Sequence, residues 1–240
     1  FVHGEDGQGN VFLPPPTTQA VTQTAAQFII EQVMTQPGEV TLVPIGPLTN
    51  IALALRLEPR IAQHVRELVL MGGNALGPGN ATPAAEANIH NDPEAADVVL
   101  GAPWQVTMVG LDVTNQVVMS DAQLTEYGRS SHPLARHIAR IVPFYRDFYQ
   151  ARHGLNGICV HDSTAIAYLI EPTLFTAQAW PVRVETASGI SRGKTWPATG
   201  LLDRPSLRPW QNRPRVNVCV AVGGDKTLAL ELSRGRGESA

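Results

Sequence analysis

The stretch Val40-Thr41-Leu42-Val43-Pro44-Ile45-Gly46-Pro47-Leu48-Thr49-Asn50 decides the fold. Its apolar run is short, rich in branched side chains and closed by Gly46-Pro47, so it reads as a buried strand. Proline is at home in the first turn of a helix, where its missing N–H costs nothing, so the strand feeds a helix that starts around Pro47. Upstream, apolar residues recur at helical spacing from Thr17 to about Gln36 (Ala20, Val21, Ala25, Phe28, Ile29, Val33), and Pro37-Gly38 ends that helix. Downstream the unit repeats. Glu67–Met71 is a strand turned by Gly72-Gly73, and Gln105–Val109 is a third. Between them Asp92 caps a helix that opens on Pro93 and Glu94 and closes at Gly101.

Strands alternating with helices of this length predict an α/β fold with a mostly parallel, Rossmann-like sheet, helices on both faces and right-handed crossovers. Such sheets bind ligands outside the carboxyl ends of their strands, which directs attention to the turns after Ile45, Met71 and Val109. Beyond Asp121 the pattern is mostly helical. Leu134 to Arg152 is one amphipathic stretch that Pro143 should kink or divide. Strands return at Pro181–Thr186 and Val216–Val222, with a last helix from about Asp225. No linker, internal repeat or shift in composition divides residues 1–240, which read as a single domain.

The chain has 240 residues, 43% hydrophobic and 16% charged, enough for a sizeable core. A protein of this size buries about 70–75% of its unfolded surface. Its 21 Gly and 19 Pro are dispersed, which sets aside fibrous and disordered classes. With 18 basic against 21 acidic residues the net charge is −3, which argues against a nucleic-acid partner. No apolar run approaches the ~20 residues of a spanning helix, so no membrane partner is expected. Cys159 and Cys219 stand apart in apolar contexts, an arrangement suited to a reducing, cytoplasmic compartment rather than to a disulfide or zinc site.

Several residues could carry chemistry. The segment Gly79 to Asn88 offers Asn80, Glu86 and Asn88, two carboxamides and a carboxylate of the kind that hydrogen-bond vicinal hydroxyls; it reads equally as a polar surface loop. His161-Asp162 opens a helix, and taken singly the pair reads as an N-cap and a first-turn residue. It also suits a carboxylate for a hard cation beside a protonatable group. Tyr145 and Tyr149 share one helix face, which by itself indicates core packing. Arg204, Arg208, Arg213 and Arg215 fall in a Pro-rich stretch without a glycine cradle, which reads as a solvated loop or a subunit contact.

Together, His3-Gly4-Glu5-Asp6-Gly7, Gly46-Pro47-Leu48-Thr49-Asn50, Met71-Gly72-Gly73, Asn80 through Asn88, Asp92-Pro93-Glu94-Ala95-Ala96, Leu111-Asp112-Val113-Thr114 and His161-Asp162 resemble, in order and spacing, the inosine–uridine preferring nucleoside hydrolases. The resemblance implies an open α/β nucleoside hydrolase fold and hydrolysis of the N-glycosidic bond of ribonucleosides, with a small-molecule nucleoside as partner and a homodimer or homotetramer as assembly. It implies a Ca²⁺ ion that holds the ribose hydroxyls and the attacking water. By position, Asp162 and the backbone carbonyl of Ile45 resemble metal ligands. Asn80, Glu86 and Asn88 resemble the ribose-binding set above a floor made by Met71. His161 resembles the leaving-group acid, and His3, Tyr145 and Tyr149 resemble residues of the nucleobase side.

Two departures bear on activity. The family's D-x-D-x-G-x-D-D strand end, which carries most of the metal ligands and the catalytic base, does not occur in this sequence, and the chain opens on Phe1-Val2-His3-Gly4 as if inside a motif. The expectation is therefore a nucleoside hydrolase lacking its N-terminal strands, with the calcium ion and hydrolysis belonging to the complete protein, and with weak or no metal binding and no water activation in the chain as it stands. Competing expectations are a non-catalytic nucleoside- or ribose-binding module and a degenerate remnant. The second departure is Ala87, where an aromatic commonly stands in the family; its small side chain leaves the region near the ribose 5′-group roomier.

Overall fold

A computed structural model describes residues 2–200 and 205–237. In chain order the elements are α1 (Ala25–Thr35), β1 (Thr41–Leu42), α2 (Thr49–Leu57), α3 (Ile61–His64), β2 (Glu67–Met71), α4 (Ala87–Asn91), α5 (Pro93–Leu100), β3 (Val106–Val109) and α6 (Leu111–Thr114). There follow β4 (Val118–Ser120), α7 (Asp121–Gly128), α8 (Pro133–His153), β5 (Gly157–Cys159), α9 (His161–Ile170), β6 (Phe175–Val184), β7 (Thr195–Pro197), β8 (Arg215–Val222) and α10 (Gly224–Gly235). The main sheet runs β1-β2-β3-β8-β6-β7. Its first four strands are parallel, and β6 and β7 extend it antiparallel.

β2 explains why both faces are covered. Its residues alternate, Leu68 and Leu70 packing with α1, α2 and α5, and Val69 and Met71 with α6 and α9. A strand buried on both sides needs the near-continuous apolar run that the sequence carries there. A third cluster joins β4, β5, α8 and α10 around Met119, Tyr149, Ile158 and Leu228. Both cysteines are buried and free. Among the described residues no helix is long and apolar enough to cross a membrane.

Several boundaries differ from the sequence reading, each for a local reason. α1 begins at Ala25 rather than Thr17, because Thr24 and Gln27 form a reciprocal capping box that fixes the start. Only Thr41 and Leu42 of the first run form a ladder with β2, since Pro44 has no N–H to give, although its carbonyl accepts from Met71 at 3.0 Å. Leu48 is the cap of α2, so Pro47 precedes the helix instead of opening it. Asp92, Pro93 and Gly101 do cap, open and close α5. Pro143 does not divide α8, which runs as one 21-residue element. The Arg-rich stretch is tied inward: Arg213 pairs with Asp97 at 3.1 Å and Arg215 donates to the Ala179 carbonyl, whereas Arg204 lies outside the described residues.

Candidate active site

The turns at the carboxyl ends of β1 and β2 are joined by one carboxamide. Asn88 Nδ2 donates to the Met71 carbonyl at 3.1 Å and reaches the Ile45 carbonyl at 3.4 Å. Glu86 precedes α4 and caps it, accepting from the backbone N–H of Asn88 (2.8 Å) and Ile89 (3.0 Å), and from that of Gly73 in the turn after β2 (2.9 Å). Gly73 takes φ +80°, and a Cβ there would lie 2.9 Å from Met108 Sδ, so only glycine fits this approach. Glu86 is 2% exposed, and burial raises its pKa against the pull of the three N–H bonds. Asn80 Oδ1 accepts from Ala87 N. Much of the expected hydroxyl-binding set is thus engaged in shaping its own loop. Left over for a ligand are the Asn80 amide N–H₂, Asn88 Oδ1 and the spare lone pairs of Glu86, a mixture of donor and acceptors that matches a vicinal diol.

The facing wall comes from α8 and α9. His161 is the first residue of α9; its Nε2 lies 2.7 Å from Tyr149 Oη and its Nδ1 2.7 Å from Thr114 Oγ1. Tyr145 Oη is 3.2 Å from Tyr149 Oη, and His3 stacks on the Tyr145 ring with centroids 5.2 Å apart. Burial pushes the His161 pKa down to about 4, so the imidazole is neutral at neutral pH, and burial raises the phenols of Tyr145 and Tyr149. Asp162 does not cap α9: the cap is Val160, and among the described residues nothing hydrogen-bonds the Asp162 carboxylate. Desolvation raises the Asp162 pKa and the nearby His3 lowers it. Glu86 and Tyr145 also sense the charge of Asp162. Asp162 thus lies within electrostatic reach of residues on both walls.

The model of the inosine–uridine preferring nucleoside hydrolase family matches residues 1–229. The chain belongs to that family. Its members are metal-dependent enzymes that hydrolyse the N-glycosidic bond of ribonucleosides. Among similar proteins, the probable uridine nucleosidase 1 of Oryza sativa subsp. japonica is 41% identical over 230 residues, covering 96% of this chain and 71% of the relative. The inosine-uridine preferring nucleoside hydrolase of Leishmania major is 44% identical over 233 residues, with 96% and 71% covered. A solved plant nucleoside hydrolase superposes with a TM-score of 0.95 at 31% identity, covering 98% of this chain and 74% of that one. The purine-preferring ribonucleoside hydrolase of Gardnerella vaginalis gives 0.89 at 32%, with 99% and 73% covered.

In this nucleoside hydrolase the residues singled out from the sequence gather at one sheet edge, as an α/β fold of this kind requires. Two further residues hold members of this cluster in place and had no role in the sequence reading. Thr114, fully buried, holds His161 Nδ1 and lies inside the Leu111–Thr114 motif, which was its only signal. Asp112 accepts three consecutive backbone N–H groups, from Ala75, Leu76 and Gly77, at 2.6–2.9 Å. For a metal, Asp162 and the Ile45 carbonyl are hard oxygen donors of the right chemistry. Calcium takes about six to eight oxygens. Among the described residues no group of three or more His, Cys, Asp or Glu could hold an ion. Two donors do not make a calcium site.

Proposed function

We propose that this nucleoside hydrolase binds a ribonucleoside with its ribose diol against Asn80, Glu86 and Asn88 over Met71, and its base beside His3, Tyr145 and Tyr149. The observation that carries this reading is the unbroken line Thr114–His161–Tyr149–Tyr145, with contacts of 2.7, 2.7 and 3.2 Å. Its donors can all point one way. Thr114 O–H gives to Nδ1, the neutral imidazole gives Nε2–H to Tyr149, Tyr149 gives to Tyr145, and Tyr145 turns its O–H to the departing base. In the structure the Tyr145 hydroxyl donates to Tyr149; hydroxyl hydrogens rotate freely enough to reverse that bond, and a neutral His161 suits the new order because Nδ1 must accept.

In the reaction the bond between C1′ and the base nitrogen breaks with its electron pair going to the base. The line of donors stabilises that growing negative charge, a preorganised arrangement worth far more inside a protein than in water. The ribosyl group becomes cationic, and the carboxylates of Glu86 and Asp162 face it. A water oxygen then bonds to C1′ and loses a proton to solvent, while the departing base anion takes up one proton through the Tyr145 O–H, giving ribose and the neutral free base. The family's metal, read from the sequence as Ca²⁺, would meet this chain at Asp162 and the Ile45 carbonyl; those two oxygens fall short of its shell, and none of these steps is routed through it.

The test is the leaving group. His161→Ala should slow hydrolysis of inosine and uridine by about 10²–10⁴, the usual worth of a positioned proton donor. Hydrolysis of p-nitrophenyl riboside, whose phenolate leaves unaided, should change by less than about tenfold. Equal losses on all three substrates would remove His161 from the leaving-group role.

A further inference from the structure

The segment that leads into Asn80 is held by a part of the chain with no motif in it. Lys194, 7% exposed, stands at the end of the loop between β6 and β7, and its Nζ donates to the carbonyls of Asn74 (2.6 Å) and Gly77 (3.2 Å). Among the described residues no carboxylate pairs with it. Its further company is the Trp196 ring, 5.5 Å from Nζ to centroid, and the charge of Asp112, which works against the burial that lowers the Lys194 pKa. On the other side of the same turn Asp112 takes the N–H groups of Ala75, Leu76 and Gly77. A cation thus draws the carbonyls and an anion the amides of one four-residue turn.

The neighbours of Lys194 grip the same segment. Thr195, fully buried, accepts from Asn74 N at 3.0 Å and donates to Asn74 O at 2.8 Å through its hydroxyl. Gly193, at φ +84°, lies so close to α4 that a Cβ would sit 2.8 Å from His90 Cα and 3.1 Å from the Ala85 methyl. Arg192 pairs with Glu94 at 2.7 Å. One residue before Asn74, Gly73 gives its N–H to Glu86. The clamp therefore acts on the turn that sets both Glu86 and the approach to Asn80.

We propose that the β6–β7 loop is a brace for the ribose-binding segment and that Lys194 is its positioning residue, acting through the Asn74–Gly77 turn without touching the substrate. This rests on the proposed ribose role of Asn80, Glu86 and Asn88. Loss of the ammonium takes one of two donors from each carbonyl, leaving Thr195 Oγ1 on Asn74 O and Asn74 Nδ2 on Gly77 O, and takes a nearby positive charge from Asp112, so the turn loosens and the diol groups lose their spacing. Lys194 makes no hydrogen bond to Thr114, His161, Tyr149 or Tyr145, so the leaving-group line keeps its own contacts.

Lys194→Met keeps the apolar stem and removes the charge. It should raise KM for inosine and for p-nitrophenyl riboside alike, by about tenfold or more, while kcat changes less than about threefold. Inosine affinity by calorimetry should fall by the same factor, and Lys194→Arg should recover part of it. Thr195→Val, which keeps the strand, gives the same readout with a smaller loss, and serves if Lys194→Met does not fold. Asn80→Ala is the control for the ribose reading: if it leaves inosine affinity unchanged, that reading fails and the brace with it. If Asn80→Ala weakens binding while Lys194→Met and Thr195→Val lower only the melting temperature, the brace is structural and the proposal is overturned.

Discussion

Glu231→Gln should stabilise this protein at pH 8 and leave its stability nearly unchanged at pH 4.5. Glu231 stands on α10, where its carboxylate accepts from the Ser163 hydroxyl and, at 3.1 Å, from that of Thr164, in the first turn of α9. It borders a cavity of about 410 Å³ walled by side chains such as Met119, Ile158, Ile166, Ile170 and Leu230. Burial in that hydrocarbon pushes the carboxyl up from 4.5 to about 7, with the two hydroxyl bonds pulling the other way. Between those pH values the folded protein keeps a proton that the unfolded chain has released. The contribution of Glu231 to stability is therefore full below pH 4.5 and is lost as pH rises through 7.

At about 1.4 kcal/mol per pH unit the whole interval amounts to ~3 kcal/mol, which water at the open rim of the cavity reduces to ~2 kcal/mol. Glutamine mimics the protonated acid: its oxygen accepts from one hydroxyl and its N–H₂ donates to the other, and it never ionises. Thermal or urea melts of both proteins at pH 4.5, 6 and 8, at constant ionic strength, measure the difference directly. Subtracting one profile from the other removes the titration of every other group. At pH 8 the variant should melt about 4–8 °C above the parent, with the gap closing toward pH 4.5. Parallel profiles, or a variant less stable at pH 8, would refute the argument.

Other outcomes follow from the site. Thr114→Val removes the hydroxyl on His161 Nδ1, so inosine hydrolysis should fall by about tenfold while p-nitrophenyl riboside is spared; steady-state kinetics on the two substrates measures the split. Gly73→Ala forces a Cβ into the left-handed region and to within 2.9 Å of Met108 Sδ. It should cost about 2 kcal/mol, seen as a melting temperature lowered by about 4–8 °C.

The sequence showed the fold wherever a run was buried on both faces. Glu67–Met71 is the clearest case, since an uninterrupted apolar stretch has few other places to go, and the strand has those bounds. It was silent where strands are short or exposed. β4 and β5 have three residues each, too few for a period, and the first half of β6 is exposed at Thr176–Ala179, so only the inner part of that strand carried an apolar pattern. The candidate site divides in the same way. Asn80, Glu86 and Asn88 are close in sequence and were legible as a set of polar groups, although not the use of Glu86 as a helix cap. Lys194 lies 120 residues from the carbonyl that it holds, and no spacing rule connects the two. Pro143 was a local signal that tertiary context overrode: α8 passes through it, held on one side by Tyr149 in the core.

Electrostatics gives the pocket a direction that no single residue reveals. Burial raises the carboxyls of Glu86 and Asp162, lowers the imidazole of His161 and raises both phenols, so every one of these groups is pushed toward its neutral form. A pocket that resists charge on its own side chains has a low effective dielectric, and in such a medium a charge that develops on a bound molecule interacts strongly with whatever faces it. In the proposed reaction two opposite charges appear together, positive on the ribosyl ring and negative on the base. The ring faces the carboxylates and the base faces the line of hydroxyl and imidazole donors. Desolvation by itself raises the energy of the separated charges; the donors facing the base, and Glu86 and Asp162 in their ionised forms, are what lower it. Desolvation also accounts for a neutral His161: the ring nitrogens meet a phenol and a hydroxyl, and burial disfavours the imidazolium.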